Sequence, residues 1–134
     1  MKKARVLVID DEPSVVDAIK LILGDAGYDA VAATSGRSAL EQAKRRNFDI
    51  AIIDLKLPDM SGLEAMFAIA ERSPEIATIL ITAHDSDLAR ADAIAAGFSL
   101  FLAKPFSPAT LLDAVQASLF HRRGTLRGTA PESS

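Results

Sequence analysis

The feature that most constrains the fold is a set of short apolar runs in which hydrophobic and polar residues do not alternate. These runs are "VLVI", "IAII" and "TILI". A strand with one face in water alternates between apolar and polar residues, whereas a parallel strand covered by helices on both faces reads as a continuous apolar run. The sequence therefore favours a mostly parallel sheet that lies between two layers of helices.

Apolar runs of strand length occur at five places, and each is followed by a segment with the apolar spacing of a helix. A chain of 134 residues is the size of one domain. The pattern predicts an α/β fold with five strands and five helices. The predicted strands are Arg5 to Ile9, Asp29 to Ala33, Asp49 to Ile53, Thr78 to Ile81 and Leu100 to Ala103.

Apolar stripes in three of the helical segments predict the residues that pack on the sheet. They are Val15, Val16, Ile19, Ile22 and Leu23 in the first helix, Leu63, Met66, Phe67 and Ala70 in the third, and Leu111, Leu112, Val115 and Leu119 in the fifth. The fourth segment, "DSDLARADAIAA", is rich in alanine and has only Leu88 and Ile94 as large apolar residues. We therefore expect the fourth helix to be the most weakly anchored one.

Composition narrows the chemistry and the location. Cysteine is absent, which excludes disulfides and thiolate zinc sites, and His84 and His121 are the available imidazoles, to neither of which we assign a metal. The basic start "MKK" leads into an apolar run too short for a signal peptide, and no run is long enough to cross a membrane. We expect a cytoplasmic protein without membrane contact.

Charge and composition change near residue 120. Residues 121–134 contain three arginines and one glutamate and so carry a net charge of about +2. Because the whole chain carries −3, residues 1–120 carry about −5. An acidic body argues against direct binding of nucleic acid by this domain. The last stretch, "HRRGTLRGTAPESS", is rich in Gly, Thr, Pro and Ser. We predict one domain over residues 1–120, followed by a flexible tail or the start of a linker over residues 121–134.

Polar residues follow four of the five predicted strands. Asp10 and Asp11 follow the first, Asp54 the third, Thr82 the fourth and Lys104 the fifth. In an open α/β sheet the ligand site lies outside the carboxyl ends of the strands. The sequence therefore predicts that these residues share one crevice.

Three carboxylates in one crevice require a cation, because two like charges about 4 Å apart repel by roughly 4 kcal/mol at an effective dielectric near 20. Mg²⁺ is the best candidate, since it prefers oxygen ligands, uses few carboxylates and commonly bridges to phosphate. The lysine ammonium and the threonine hydroxyl would complete a site for a phosphoryl group. Asp54 is then a plausible attacking carboxylate.

Four motifs in order, "VLVIDDEP", "DIAIIDLKLPDMSGLE", "ILITAH" and "FLAKPF", closely resemble the receiver domain of bacterial two-component response regulators over residues 4–120. The resemblance implies a flavodoxin-like fold with strand order 2-1-3-4-5. It implies that Asp54 accepts a phosphoryl group from the phosphohistidine of a sensor histidine kinase or phosphotransfer protein. It also implies that Asp11, Asp54 and the backbone carbonyl of Lys56 hold Mg²⁺, with Asp10 acting through water.

The same resemblance implies a switch. Thr82 would move toward the phosphoryl oxygens, Phe101 would turn inward behind it, and Lys104 would pair with the phosphate. The face formed by the fourth helix, fifth strand and fifth helix would change. Domains of this kind can form a homodimer on phosphorylation, and they can act on a C-terminal effector domain. A cis peptide bond before Pro105 is also implied. No substrate turnover is expected beyond self-phosphorylation from a phosphodonor and self-dephosphorylation.

Two other functions remain open from the residues. One is a phosphatase of the haloacid-dehalogenase type, in which Asp10, Glu12 and Ser14 would take the places of a D-x-D-x-T motif, with glutamate a poor match for the second aspartate. The other is a receiver-like binding module that is never phosphorylated. The complete set of acids argues against this second alternative, because a pure scaffold has little reason to keep carboxylates that repel one another.

Overall fold

A computed structural model describes residues 4–83 and 87–127, with the backbone alone described for residues 87–88 and 121–127. Within these residues, five parallel strands form one sheet in the order β2-β1-β3-β4-β5. This confirms the predicted flavodoxin-like architecture. The strands are β1 (Arg5–Ile9), β2 (Asp29–Ala33), β3 (Ile50–Asp54), β4 (Ala77–Thr82) and β5 (Leu100–Ala103); the helices are α1 (Pro13–Asp25), α2 (Gly36–Arg45), α3 (Gly62–Arg72), α4 (Asp87–Ala96) and α5 (Pro108–Arg127).

The sheet separates two hydrophobic clusters, and successive residues of each central strand point into different ones. In β1, Val6 and Val8 pack with α1 and α5, whereas Leu7 and Ile9 pack with α2, α3 and α4. All four of these side chains are fully buried. Burial on both faces explains why the central strands show no alternation in the sequence.

The helix ends carry well-known start and stop signals. Ser61 and Glu64 form the capping box that opens α3. The Ser107 hydroxyl accepts a hydrogen bond from the Thr110 amide at the start of α5. Gly27 and Gly97, which follow the ends of α1 and α4, have φ values of +93° and +115°, which glycine adopts without strain.

Some predictions about packing and strand bounds are wrong in detail. Phe67 is 54% exposed and Ile94 is 52% exposed, because each lies at the edge of its helix's apolar stripe and the neighbouring residues, Met66 and Ala93, turn inward instead. The third strand begins at Ile50, since Asp49 directs its carboxylate to the backbone amide of Arg5 at a distance of 2.8 Å.

Helix α5 continues to Arg127, so the change in composition at Phe120 falls within a helix. His84 and the side chain of His121 lie outside the described residues. Among the residues that are described, no helix is both long and apolar enough to cross a membrane.

Candidate functional site

The strand order places four polar strand ends side by side. Because β1, β3, β4 and β5 are consecutive neighbours in the sheet, Asp10, Asp54, Thr82 and Lys104 all lie at one edge. The Lys104 amide donates to the Thr82 carbonyl at 2.8 Å, which ties the last two positions together. The edge also lies where the order reverses, since β2 and β3 flank β1 on opposite sides. Open α/β sheets bind their ligands at such switch points.

Lys104 is the centre of the charge network. Its Nζ lies 2.9 Å from Asp10 Oδ2, 3.3 Å from Glu12 Oε1 and 3.6 Å from Asp54 Oδ2. The lysine side chain is only 17% exposed, so the ammonium is held between these carboxylates. Burial opposes its charge, but the contacts with Asp10, Asp54 and Glu12 outweigh burial and raise the pKa of Lys104. The lysine is therefore a permanent cation in this site.

Asp10 is fully buried although it is ionisable. Its Oδ1 atom accepts a hydrogen bond of 3.0 Å from the Glu12 amide, which fixes the carboxylate at the start of α1. Its Oδ2 atom has no well-aligned hydrogen-bond donor among the described residues and relies on the nearby Lys104 ammonium. An incompletely satisfied carboxylate oxygen of this kind is suited to a further ligand such as water or a cation.

The surroundings of Asp54 disfavour its negative charge when no metal is bound. Burial raises the pKa of its carboxyl, and the negative charge of Asp10 raises it further, against the opposing effects of the Lys104 charge and of the Lys56 amide. The side chain is still 13% exposed, so a small reactant can reach it. The combination of a perturbed pKa and access to solvent is typical of functional carboxylates.

Carboxylate oxygens of Asp10, Asp11 and Asp54 all lie within 4.8 Å of one another, a spacing that can hold a metal ion. All the donors are hard oxygens, and Asp11 is exposed, so a bound ion could keep water ligands there. Lys104 offsets only part of the negative charge of these three groups. The donor chemistry therefore fits a divalent cation such as Mg²⁺ better than a soft metal.

Phe101 lies in β5 beside the site and is partly buried. The guanidinium carbon of Arg90, on α4, lies 4.7 Å from the centre of its ring, within the range of a cation–π contact. Both Phe101 and Thr82 line a cavity of about 190 Å³ between α4 and the sheet. Because α4 has few large apolar side chains, the space between this helix and the sheet is incompletely filled.

Sequence reasoning assigned no role in a phosphoacceptor site to three residues that contact this site or its supporting loop. Glu12 pairs with Lys104, and its only signal was the acidic triplet at residues 10–12. Asp59 links the segment after Asp54 to α2. Gly62 lies so close to the Asp54 backbone carbonyl that a β-carbon would overlap with it. The last two contacts join residues far apart in the chain or on different elements, and they leave no periodic pattern.

Replacing Lys104 by alanine is expected to destabilise the metal-free protein by about 2 kcal/mol, because a buried Asp10 carboxylate would lose its cation. The value lies below that for a fully enclosed pair because Lys104 is 17% exposed. Urea unfolding in the presence of a chelator measures this change. Lys20→Ala, which removes an exposed lysine of α1, should have little effect. Equal stability of the two variants would contradict the network described above.

Comparison with known proteins supports the reading of the four motifs. A sequence profile of the response regulator receiver domain matches residues 6–116. The chain is 35% identical over 102 residues to the probable transcriptional regulatory protein TcrX of Mycobacterium tuberculosis, covering 76% of this chain and 44% of that protein. It is 32% identical over 131 residues to the alginate biosynthesis transcriptional regulatory protein AlgB of Pseudomonas aeruginosa, covering 98% of this chain and 29% of that protein.

Solved structures agree with the fold. A CheY-like receiver domain protein from Methanospirillum hungatei matches with a TM-score of 0.85 at 28% identity, over 91% of this chain and 98% of that chain. The chemotaxis protein CheY4 of Vibrio cholerae matches with a TM-score of 0.83 at 33% identity, over 88% of this chain and 100% of that chain. The chain therefore spans almost the whole of these structures, but only about half or less of the curated relatives.

Proposed function

The chain belongs to the family of response regulator receiver domains, and on that premise we propose that it is a phosphoacceptor switch of a two-component system, with Asp54 as the acceptor. The observation that carries the proposal is the meeting of Asp10, Asp11, Asp54 and Lys104 at the carboxyl edge of the sheet. Membership of this family also argues against the phosphatase alternative, in which Asp10 would be the nucleophile.

The phosphoryl group would come from the phosphohistidine of a sensor histidine kinase or phosphotransfer protein. The P–N bond of the donor breaks as a P–O bond to an Asp54 carboxylate oxygen forms, and the imidazole nitrogen keeps the electron pair. Lys104, already 3.6 Å from Asp54, neutralises charge that develops on the transferred group. The Thr82 hydroxyl, at the end of the neighbouring strand, is the proposed hydrogen-bond donor to a phosphoryl oxygen.

We assign Mg²⁺ to Asp11, Asp54 and the backbone carbonyl of Lys56, with Asp10 contributing through water. When bound, the ion would offset the negative charge of the carboxylates and of the incoming phosphoryl group. Lys56 follows Asp54 by two positions, and its amide favours the charged form of the Asp54 carboxyl, whose pKa it lowers. The acid set thus fits the ion on grounds of donor chemistry and charge.

Phosphorylation would be transmitted through Thr82 and Phe101. An inward turn of Phe101 breaks its contact with Arg90, which costs roughly 0.5–1 kcal/mol at an exposed site. Shifting a two-state equilibrium from 1:99 to 99:1 requires about 5.5 kcal/mol. New charge-assisted hydrogen bonds to the phosphoryl group therefore have to supply most of the difference. The cavity of about 190 Å³ beneath α4 leaves room for α4, β5 and α5 to rearrange.

The proposed setting follows from this switch. We place the protein in the cytoplasm, where its kinase would transfer the phosphoryl group. The rearranged face of α4, β5 and α5 would support a homodimer or contact a C-terminal effector domain, as the regulators TcrX and AlgB are much longer than this chain. We propose residues 1–120 as the receiver unit, without direct contact with nucleic acid, and residues 121–134, the first of which continue α5, as its tail or the start of a linker.

Incubation with acetyl phosphate or phosphoramidate and Mg²⁺ is expected to add the mass of one phosphoryl group to the protein. Mass spectrometry of the intact protein measures the gain, and a chelator should prevent it. Titration with Mg²⁺ by calorimetry addresses the scaffold alternative, since an unphosphorylated binding module would not bind the ion. An unchanged mass in the presence of Mg²⁺ would count against the proposed function.

A further inference from the structure

Asp59 connects two elements that sequence reasoning treated separately. It lies in the segment of residues 55–61 between β3 and α3, here called the β3–α3 loop. Its Oδ1 and Oδ2 atoms accept hydrogen bonds of 2.8 Å each from the amides of Gly36 and Arg37, at the first turn of α2. These bonds lower the pKa of the Asp59 carboxyl, so it is ionised at neutral pH. The tip of the loop is therefore fastened to α2.

Helix α2 has its own cap without Asp59. The Ser35 hydroxyl accepts a hydrogen bond from the Ser38 amide, and the Ser38 hydroxyl accepts one from the Ser35 amide. This reciprocal arrangement is sufficient to start a helix. The carboxylate of Asp59 thus links two elements and also accepts from two further amides of the first turn.

A second contact at the same place strengthens the link. The side chain of Met60 lies directly over Gly36, so close that a β-carbon at that position would overlap with its sulfur. Gly36 is buried by this contact. Two adjacent residues of the loop therefore hold the same end of α2, one through hydrogen bonds and one through packing.

The loop can transmit a displacement of its tip to the phosphoacceptor site. The Leu57 amide donates to the Met60 carbonyl at 3.1 Å, and Lys56 pairs with Ser61 across the loop in a short antiparallel bridge. The loop is thus braced internally. Lys56 begins the loop, two residues after Asp54, and its amide lowers the pKa of the Asp54 carboxyl. A displacement of the braced loop would therefore change the surroundings of that carboxylate.

We propose that Asp59 is a positioning residue for the phosphoacceptor site, which fixes the peptide of Lys56 by anchoring the β3–α3 loop to α2. The proposal rests on the proposed function in so far as the Lys56 carbonyl binds Mg²⁺. It adds α2 to the elements that determine the geometry of the site. Outer-shell residues of this kind affect metal affinity although they do not touch the metal.

The test uses ¹⁵N-labelled protein, first without metal and then in a titration with Mg²⁺, at a temperature where all variants are folded. Asp59→Ala is expected to shift the Lys56 amide resonance in the metal-free protein and to weaken Mg²⁺ binding about tenfold. Asp59→Asn should lie between this variant and the unmutated protein, because its carboxamide oxygen can accept one of the two hydrogen bonds but not both.

Two control variants separate positioning from general destabilisation. Ser35→Ala removes the local cap of α2 and should lower the melting temperature, yet leave the Lys56 resonance and the Mg²⁺ affinity unchanged. Asp113→Ala removes an exposed acidic charge from α5 and should change neither quantity. An unshifted Lys56 resonance in Asp59→Ala, or the same shift in Ser35→Ala, would overturn the positioning role. Absence of Mg²⁺ binding by the unmutated protein would instead overturn the proposed metal site, while the metal-free shift still decides the role of Asp59.

Discussion

Replacing Asp54 by asparagine is expected to abolish phosphoryl uptake and, at the same time, to stabilise the metal-free protein. The amide has no carboxylate oxygen to attack a phosphodonor, so the mass gain should vanish completely. The stability gain follows because the carboxylate is partly buried beside Asp10. We expect an increase of about 1 kcal/mol in the free energy of unfolding, since the lost attraction to Lys104 offsets part of the relief.

The stability gain should depend on pH in a defined direction. Burial, and then the charge of Asp10, raises the pKa of Asp54 above its ordinary value of 3.8. A raised pKa means that the folded state holds the proton more tightly than the unfolded state does. The contribution of Asp54 to stability is then full below the unfolded pKa and is lost as the pH rises through the folded pKa. The two proteins should therefore be equally stable in acid and diverge as the pH increases.

Urea unfolding at several pH values in a chelator, combined with intact mass measurements, checks both expectations. Asp113→Asn removes an exposed carboxylate from α5 and serves as the control, with phosphoryl uptake and stability unchanged. Phosphoryl uptake that persists in Asp54→Asn would show that another residue is the acceptor. A lower stability of Asp54→Asn at neutral pH would show that the pairing with Lys104 dominates over repulsion from Asp10.

The sheet could be predicted from the sequence because its strands are buried on both faces. The bounds of β1, β2 and β5 match the predicted runs, and the third and fourth strands differ by one residue at their ends. The site could be predicted for a related reason: all parallel strands end at the same edge. Asp10, Asp54 and Lys104 therefore had to come together once the strands were recognised.

The features that could not be predicted depend on packing between elements rather than on periodicity. Asp59 bonds to amides 22 and 23 residues away, and no local pattern indicates such a pairing. Phe67 is exposed because it lies at the edge of the apolar stripe of α3. The spacing of apolar residues does not determine how far the neighbouring elements cover that edge. The cavity beneath α4 is a gap between side chains of several elements. The short side chains of α4 were the one feature of the sequence that indicated loose packing there.

Gly62→Ala is expected to cause the largest loss of stability, because Gly62 begins α3 directly against the backbone carbonyl of Asp54. The neighbouring atoms cannot easily move aside. Asp54 is paired with β4 on one side, and the Gly62 amide donates to the Leu55 carbonyl at 2.6 Å on the other. We expect a loss of about 3 kcal/mol, at the upper end of the usual cost of overpacking, together with reduced phosphoryl uptake as Asp54 is displaced.

The same substitution at Gly24 provides the decisive contrast. Gly24 is exposed within α1, and a β-carbon there would meet nothing within 4 Å. Alanine is the better helix former, so Gly24→Ala should stabilise the protein by up to about 1 kcal/mol. One methyl group should thus change the free energy of unfolding in opposite directions at the two sites. Loss of stability in both variants would point to a general intolerance of helical substitutions, whereas a neutral Gly62→Ala would mean that the start of α3 can move away from Asp54, and that α3 does not constrain the phosphoacceptor.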